Sequence, residues 1–164
     1  MAEWWTLNAS PVIVLARVGY EHLLLELPDR VVIPQAVAFE IEAGPEGDAA
    51  RRVLASGRFT VSDTPSPPLE VVAWDLGRGE TSVLAHAIAN PGWTVILDDA
   101  AARRCARSYA LPLKGTLAVI LLARKRGLIP SAAELLRMLR NVGFRLDDTI
   151  IRQALAQTTG EKWP

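Results

Sequence analysis

Trp93-Thr94-Val95-Ile96-Leu97-Asp98-Asp99-Ala100-Ala101-Ala102-Arg103 decides the fold. Five aromatic, β-branched and aliphatic residues read as a buried strand. Two carboxylates follow at once, and an alanine- and arginine-rich helix then runs to about Tyr109. A strand that passes straight into a helix is half of a parallel crossover unit.

The same step recurs on either side. Upstream, Trp4 to Leu7 stops at Asn8-Ala9-Ser10, and Pro11 opens a helix through Val12, Ile13 and Leu15. Arg30 to Ile33 reads as a second strand. Pro34 starts a helix in which Val37, Ala38 and Ile41 share a face, with Glu40 near its end before Gly44-Pro45. Residues 46–57 suggest a short helix, Phe59-Thr60-Val61 a third strand, and Pro65-Ser66-Pro67-Pro68 a loop. Gly77-Arg78-Gly79-Glu80 introduces a helix with an apolar stripe of Val83, Leu84, Ala87 and Ile88. Downstream, a brief strand at Leu111 to Lys114 leads through Gly115-Thr116 into a helix to Arg126, and two amphipathic helices follow. The expected architecture is α/β: a single three-layer domain over residues 1–164, with a parallel, mostly five-stranded sheet flanked by helices.

Composition narrows the function. Half the residues are hydrophobic and 22% are charged, as in a globular domain with its own core. No apolar run approaches the ~18 residues of a membrane span, and Met-Ala-Glu-Trp-Trp does not begin like a secretory signal, so a cytoplasmic protein is expected. The lone Cys105 excludes an internal disulfide, and no Cys or His cluster suits zinc. His22 and His86 are expected to pack or face solvent, and Trp4, Trp5 and Trp163 to pack at the core's edge. Gly77-Arg78-Gly79 lacks the spacing and lysine of a phosphate-cradling loop.

Charge is unevenly spread. Residues 1–99 carry 6 basic and 14 acidic side chains, whereas residues 100–146 carry 10 basic and 1 acidic. Such a chain can draw a polyanion to one side while carboxylates wait on the other. The carboxylates themselves stand at informative places: Asp98 and Asp99 at a strand end, Glu80 in the first turn of a helix, and Glu40 on the helix after strand two. In a parallel sheet ligands gather at the carboxyl ends of strands. Several carboxylates converging there repel one another unless a cation neutralises them, and oxygen donors suit magnesium or manganese. Taken singly, each has a plainer explanation: Glu80 complements a helix dipole, Asp98 or Asp99 caps a helix, and Glu40 pairs with Arg17 or Arg51.

Asn8-Ala-Ser-Pro-Val-Ile, Val-Ile-Pro-Gln-Ala-Val-Ala-Phe-Glu40, Leu-Gly-Arg-Gly-Glu80-Thr-Ser-Val-Leu-Ala, Ile-Leu-Asp98-Asp99-Ala-Ala-Ala-Arg103 and Lys-Gly115-Thr116-Leu, in that order, resemble the PIN-domain proteins over about residues 4–157. The resemblance implies an endoribonuclease dependent on Mg2+ or Mn2+, commonly the toxin of a toxin-antitoxin pair, with RNA and a cognate antitoxin as partners and frequent homodimers. It assigns the family's acids to Asn8, Glu40, Glu80 and Asp99, with Asp98 as a substitute for the last. Glu40, Glu80, Asp98 and Asp99 are thus the expected catalytic residues, and Asn8, Glu40, Glu80 and Asp99 the metal ligands. Ser10 and Thr116 would lie beside the site, and Arg103, Arg104 and Arg107 would grip RNA phosphates. Asn8 departs from the pattern: its carbonyl oxygen can ligate a metal but brings no charge. The alternative is a catalytically silent module that binds RNA or a partner.

Overall fold

The computed structural model describes residues 2–164. Its strands are β1 (Trp4–Leu7), β2 (Arg30–Pro34), β3 (Thr60–Ser62), β4 (Thr94–Ile96) and β5 (Leu113–Lys114). Its helices are α1 (Ala9–Arg17), α2 (Leu23–Glu26), α3 (Gln35–Glu42), α4 (Ala49–Ala55), α5 (Leu69–Val72), α6 (Arg78–Ala89), α7 (Ala100–Ser108), α8 (Thr116–Lys125), α9 (Ala132–Asn141) and α10 (Asp148–Gln157). The alternation read from sequence is present. The two single-turn helices α2 and α5 were not anticipated as separate elements, because four residues are too few to show a helical period.

All strand pairs are parallel, in the order β3-β2-β1-β4-β5. Trp5 lies opposite Val31 on one side and Thr94 on the other, and Leu7 opposite Ile96. Trp5, Thr6 and Leu7 are fully buried, as a strand covered by helices on both faces requires. The strand order has a direct consequence for function. The chain winds outward from β1 through β2 to β3, then returns past β1 to lay down β4 and β5. The crevice between the carboxyl ends of β1 and β4 is therefore a topological switch point, where sheets of this kind receive ligands. Crossing from β3 to β4, α6 starts at this same carboxyl edge, so Glu80 in its first turn is delivered there.

At the opposite edge, His86 packs edge-on against Trp93 at 4.9 Å, and Trp4 lies 5.6 Å from the same tryptophan. Burial pushes the His86 imidazole below its ordinary pKa. The chain's last residues strap the final helices together. Trp163 is buried, donates from Nε1 to Asp148 at 2.9 Å, and lies under the Arg137 and Arg140 guanidinium groups. Glu161 accepts from the Ala132 and Ala133 amides and from the Ser131 hydroxyl, so it caps α9 from a distant part of the chain.

Protonation should loosen this arrangement. The Trp163 and Arg140 hydrogen bonds hold Asp148 below its ordinary pKa. Burial works upward on Glu161, but bonds from Ser131, Thr159, Ala133 and Ala132 outweigh it and hold its carboxyl low. A carboxylate with a depressed folded pKa contributes stability that is complete above the unfolded value and is lost as pH falls towards the folded one. Buried neutral His86 acts in the same direction, beginning as pH falls below about 6.5. Urea unfolding across the acid range is expected to show stability declining in two stages, below about pH 6.5 and again near pH 4. Glu161→Ala should lower stability at neutral pH by about 1 kcal/mol and flatten the second stage.

Candidate active site

Asn8 ends the central strand. Its backbone N–H donates to Ile96 O at 3.2 Å, extending the β1–β4 ladder by one step, and its extended backbone occupies the N-cap position of α1. Asparagine is a good cap, yet this side chain makes no capping bond. It is 4% exposed, and its Oδ1 has no hydrogen-bond partner. A buried acceptor left unpaired costs about 1–3 kcal/mol. The unpaired atom sits at the switch-point crevice, and it is the asparagine atom that ligates hard cations.

Asp98 lies at the end of the adjacent strand, two residues beyond Ile96. Thr116 donates to it twice, from its amide at 2.8 Å and from its hydroxyl at 2.6 Å, and the Ser10 hydroxyl donates at 3.1 Å. The carboxylate thus ties the starts of α1 and α8 to β4. Of its roughly four acceptor positions, three are occupied and one is free. Its neighbour Asp99 is turned elsewhere: it is the N-cap of α7, and its Oδ2 accepts from Ala102 N at 2.9 Å. Arg103 donates to Leu97 O at 2.9 Å. Burial, together with adjacent Arg107, lowers its pKa while Asp98 opposes the shift, and the guanidinium remains charged. Arg103 and Arg107 are one helical turn apart and line a cleft of about 380 Å3 with Asp98, Leu117, Phe144 and Ile150. Arg104 is exposed and does not line that cleft.

Glu40 and Glu80 meet at the beginning of α6. Glu40 does not pair with Arg17 or Arg51; its Oε1 accepts from the Gly79 amide at 2.9 Å, and Arg17 pairs with Asp48 instead. A Cβ on Gly79 would lie 2.7 Å from Glu40 Oε1, and one on Gly77 would lie 2.5 Å from Glu80 Oε2. Across the site, a Cβ on Gly115 would come within 2.7 Å of Arg103 and 3.0 Å of Asp98. Neither Gly77, Gly79 nor Gly115 has a positive φ, so the absence of a side chain, rather than an unusual backbone, is what these positions use. Each leaves room for a charged group. Among the described residues the Glu80 carboxylate makes no hydrogen bond or ion pair.

The site residues inferred from sequence therefore fall into two sets, with a remainder outside both. Asn8, Ser10, Asp98 and Thr116 gather at the crevice, with Arg103 alongside. Glu40 and Glu80 share the start of α6. Asp99 and Arg104 join neither set. Among the described residues no three His, Cys, Asp or Glu side chains come close enough together to hold one ion. The three carboxylates of the expected quartet of Asn8, Glu40, Glu80 and Asp99 thus do not form a ligand group by themselves among the described residues, and Asp99 is turned to capping its own helix. The remaining donors nonetheless suit a hard cation in kind: carboxylate oxygens, a buried unpaired amide oxygen, and neither thiolate nor imidazole. The glycine cradles were invisible to motif reading, since Gly77-Arg78-Gly79 could be tested only as a phosphate loop.

A 3-2-1-4-5 parallel sheet with helices on both sides and acidic residues at its carboxyl edge is the build of the PIN-like class of α/β proteins. Residues 4–160 match the DUF3368 family, a PIN domain, and the chain belongs to that family. PIN domains form a family of nucleases, generally dependent on divalent metal ions. No curated protein matches the chain. No helix among the described residues is long and apolar enough to cross a membrane.

Gly79→Ala isolates the cradle. The three atoms nearest the added methyl all belong to the movable end of Glu40, so the unfolding free energy should stay within about 1 kcal/mol of the original. The carboxylate, however, must leave its bond to the Gly79 amide. A crystal structure of the variant is expected to show Glu40 rotated away with the α6 backbone unmoved.

Proposed function

We propose that this single-domain chain is a divalent-metal-dependent endoribonuclease whose reaction centre lies at the β1–β4 crevice. The observation that carries the proposal is the buried Oδ1 of Asn8, unpaired among the described residues, at the end of the strand next to that of Asp98, which has one acceptor position to spare. Asp98, rather than Asp99, would take the fourth acidic role, because Asp98 faces Ser10 and Thr116 whereas Asp99 is committed to α7. Asn8 Oδ1 and Asp98 would hold the cation, and Glu80 and Glu40, at the start of α6, would act on it through the waters such ions retain. When bound, Mg2+ or Mn2+ supplies Lewis-acid stabilisation of a phosphodiester and a water of lowered pKa.

The chain's own residues have separate tasks. Thr116 and Ser10 fix the Asp98 carboxylate so that it need not reorganise during the reaction. Glu80, with no protein partner, is the carboxylate freest to orient an attacking water or take its proton. Arg103 and Arg107 present positive charge to the phosphate from the cleft wall. In place of a carboxylate, neutral Asn8 weakens the pull on any cation. This feature, with the absence among the described residues of a closed three-carboxylate cluster, favours the second reading: a silent PIN module that binds RNA or a partner without cutting. In the nuclease reading, the protein would serve in the cytoplasm as the toxin of a toxin-antitoxin pair, restrained by an antitoxin encoded beside it, and would pair with itself.

Cleavage of end-labelled RNA in Mn2+ tests the assignment. Glu80→Gln and Asp98→Asn should each reduce the rate by on the order of 100-fold, and Thr116→Val by about 10- to 100-fold. Asp99→Asn should be much milder. Equal cleavage by the original protein, Glu80→Gln and Asp98→Asn would discard the proposal.

Asn8→Asp separates a weakened enzyme from a silent one. The extra buried carboxylate should destabilise the cation-free protein and make its stability respond to Mn2+, by about 2.7 kcal/mol at a hundredfold excess over Kd. Increased cleavage by this variant would mark a nuclease that its asparagine holds back. A Mn2+-responsive variant that still cuts nothing would support the silent module.

A further inference from the structure

A second cleft opens on the other flank of the carboxylates. It has a volume of about 570 Å3 and is lined by Gln35, Phe39, Glu40, Thr64 and Arg78, with Ala36 and Ala43 as its small residues. Glu40 belongs both to this cleft and to the α6 cradle, so the two are contiguous. The buried side of α3 is Val37, Ala38 and Ile41, whereas Gln35, Ala36, Phe39, Glu40 and Ala43 form its outer side.

Phe39 is the conspicuous member. It is 60% exposed, although a phenyl ring normally buries its faces. Ala36 and Ala43 flank it at one-turn spacing and leave its surroundings open. Arg78 is exposed and forms no ion pair among the described residues. Thr64 Oγ1 is buried without a hydrogen-bond partner, and Gln35 adds an exposed amide. An open aromatic face, an unpaired guanidinium and the exposed Gln35 amide are what one nucleotide requires: a surface for stacking, a positive charge for phosphate, and a partner for a base edge. A protein-docking patch would instead be expected to have a larger apolar core and fewer unsatisfied polar groups.

We propose that the Gln35–Phe39–Thr64–Arg78 cleft is a nucleobase subsite that takes an unpaired nucleotide of a single-stranded RNA on the β2–β3 side of the carboxylates. The strand would then continue across the carboxyl edge of the sheet to the Arg103–Arg107 cleft. Stacking needs a base out of its helix, so single strands or loops are the substrate class and paired RNA is disfavoured. This subsite rests on the nuclease reading for the position of the cut, but not for binding itself.

Fluorescence anisotropy with a fluorescein-labelled RNA single strand, in EDTA to prevent cleavage, tests it. Phe39→Ala should weaken binding roughly 5- to 100-fold with an unchanged melting temperature, and Phe39→Trp should restore it. Arg78→Gln should lower the slope of log K against log salt by about 0.7. A duplex of the same sequence should bind less tightly and be indifferent to Phe39→Ala. Unchanged affinity in Phe39→Ala, or preference for the duplex, overturns the subsite while Mn2+-dependent cleavage by the original protein would leave the nuclease reading standing. Phe39-dependent binding without metal-dependent cleavage would have the opposite meaning. Failure to bind RNA, with Phe39→Ala instead altering self-association, would overturn the subsite in favour of a protein contact.

Discussion

Asp98 is the residue on which the carboxyl edge of the sheet depends. It receives two bonds from Thr116 and one from Ser10, so a single carboxylate joins the end of β4 to the helices that follow β1 and β5. Charge-assisted bonds of this kind are stronger than neutral ones, and their geometry leaves one acceptor direction open. Asp98 ends the strand next to β1, at the crevice created by strand order, where among the described residues Asn8 brings a buried oxygen without a partner. Topology puts the two residues at the ends of adjacent strands; hydrogen bonding determines how one of them is oriented.

The rest of the site is made possible by absent side chains. Gly77 and Gly79 leave space for Glu80 and Glu40, and Gly115 leaves space where Asp98 and Arg103 crowd together. Helix α6 gains from this arrangement because Glu80 in its first turn and Glu40 at the Gly79 amide both place negative charge at its positive end. Structural and functional explanations of these glutamates are therefore complementary. A carboxylate can support a helix start while retaining oxygen atoms for another task, as Glu40 does with only Oε1 engaged.

The sheet was legible from sequence because its signals are local. Trp93 to Leu97 announces a buried strand, and prolines at positions 11 and 34 mark helix starts close behind strands. Site orientation is not local. Asp98 and Asp99 are equivalent by residue type and position; Thr116, 18 residues downstream, distinguishes them by binding the first, while Ala102 takes the second. Gly77 and Gly79 looked like punctuation because the glutamate that fills the Gly79 gap comes from α3, 39 residues earlier. The exposure of Phe39 was equally hidden, since the helical period identifies Val37 and Ile41 as buried but does not show that the opposite side borders a cleft.

The decisive measurement is an anomalous-difference map from crystals of the unaltered protein soaked in Mn2+. The arrangement of Asn8 and Asp98 predicts a peak at ligand distance from Asn8 Oδ1 and the Asp98 carboxylate, on the side facing Glu80. A map without a peak there, with the Asn8 amide rotated to donate to Asp98, would contradict it. A peak on Asp99 would do the same.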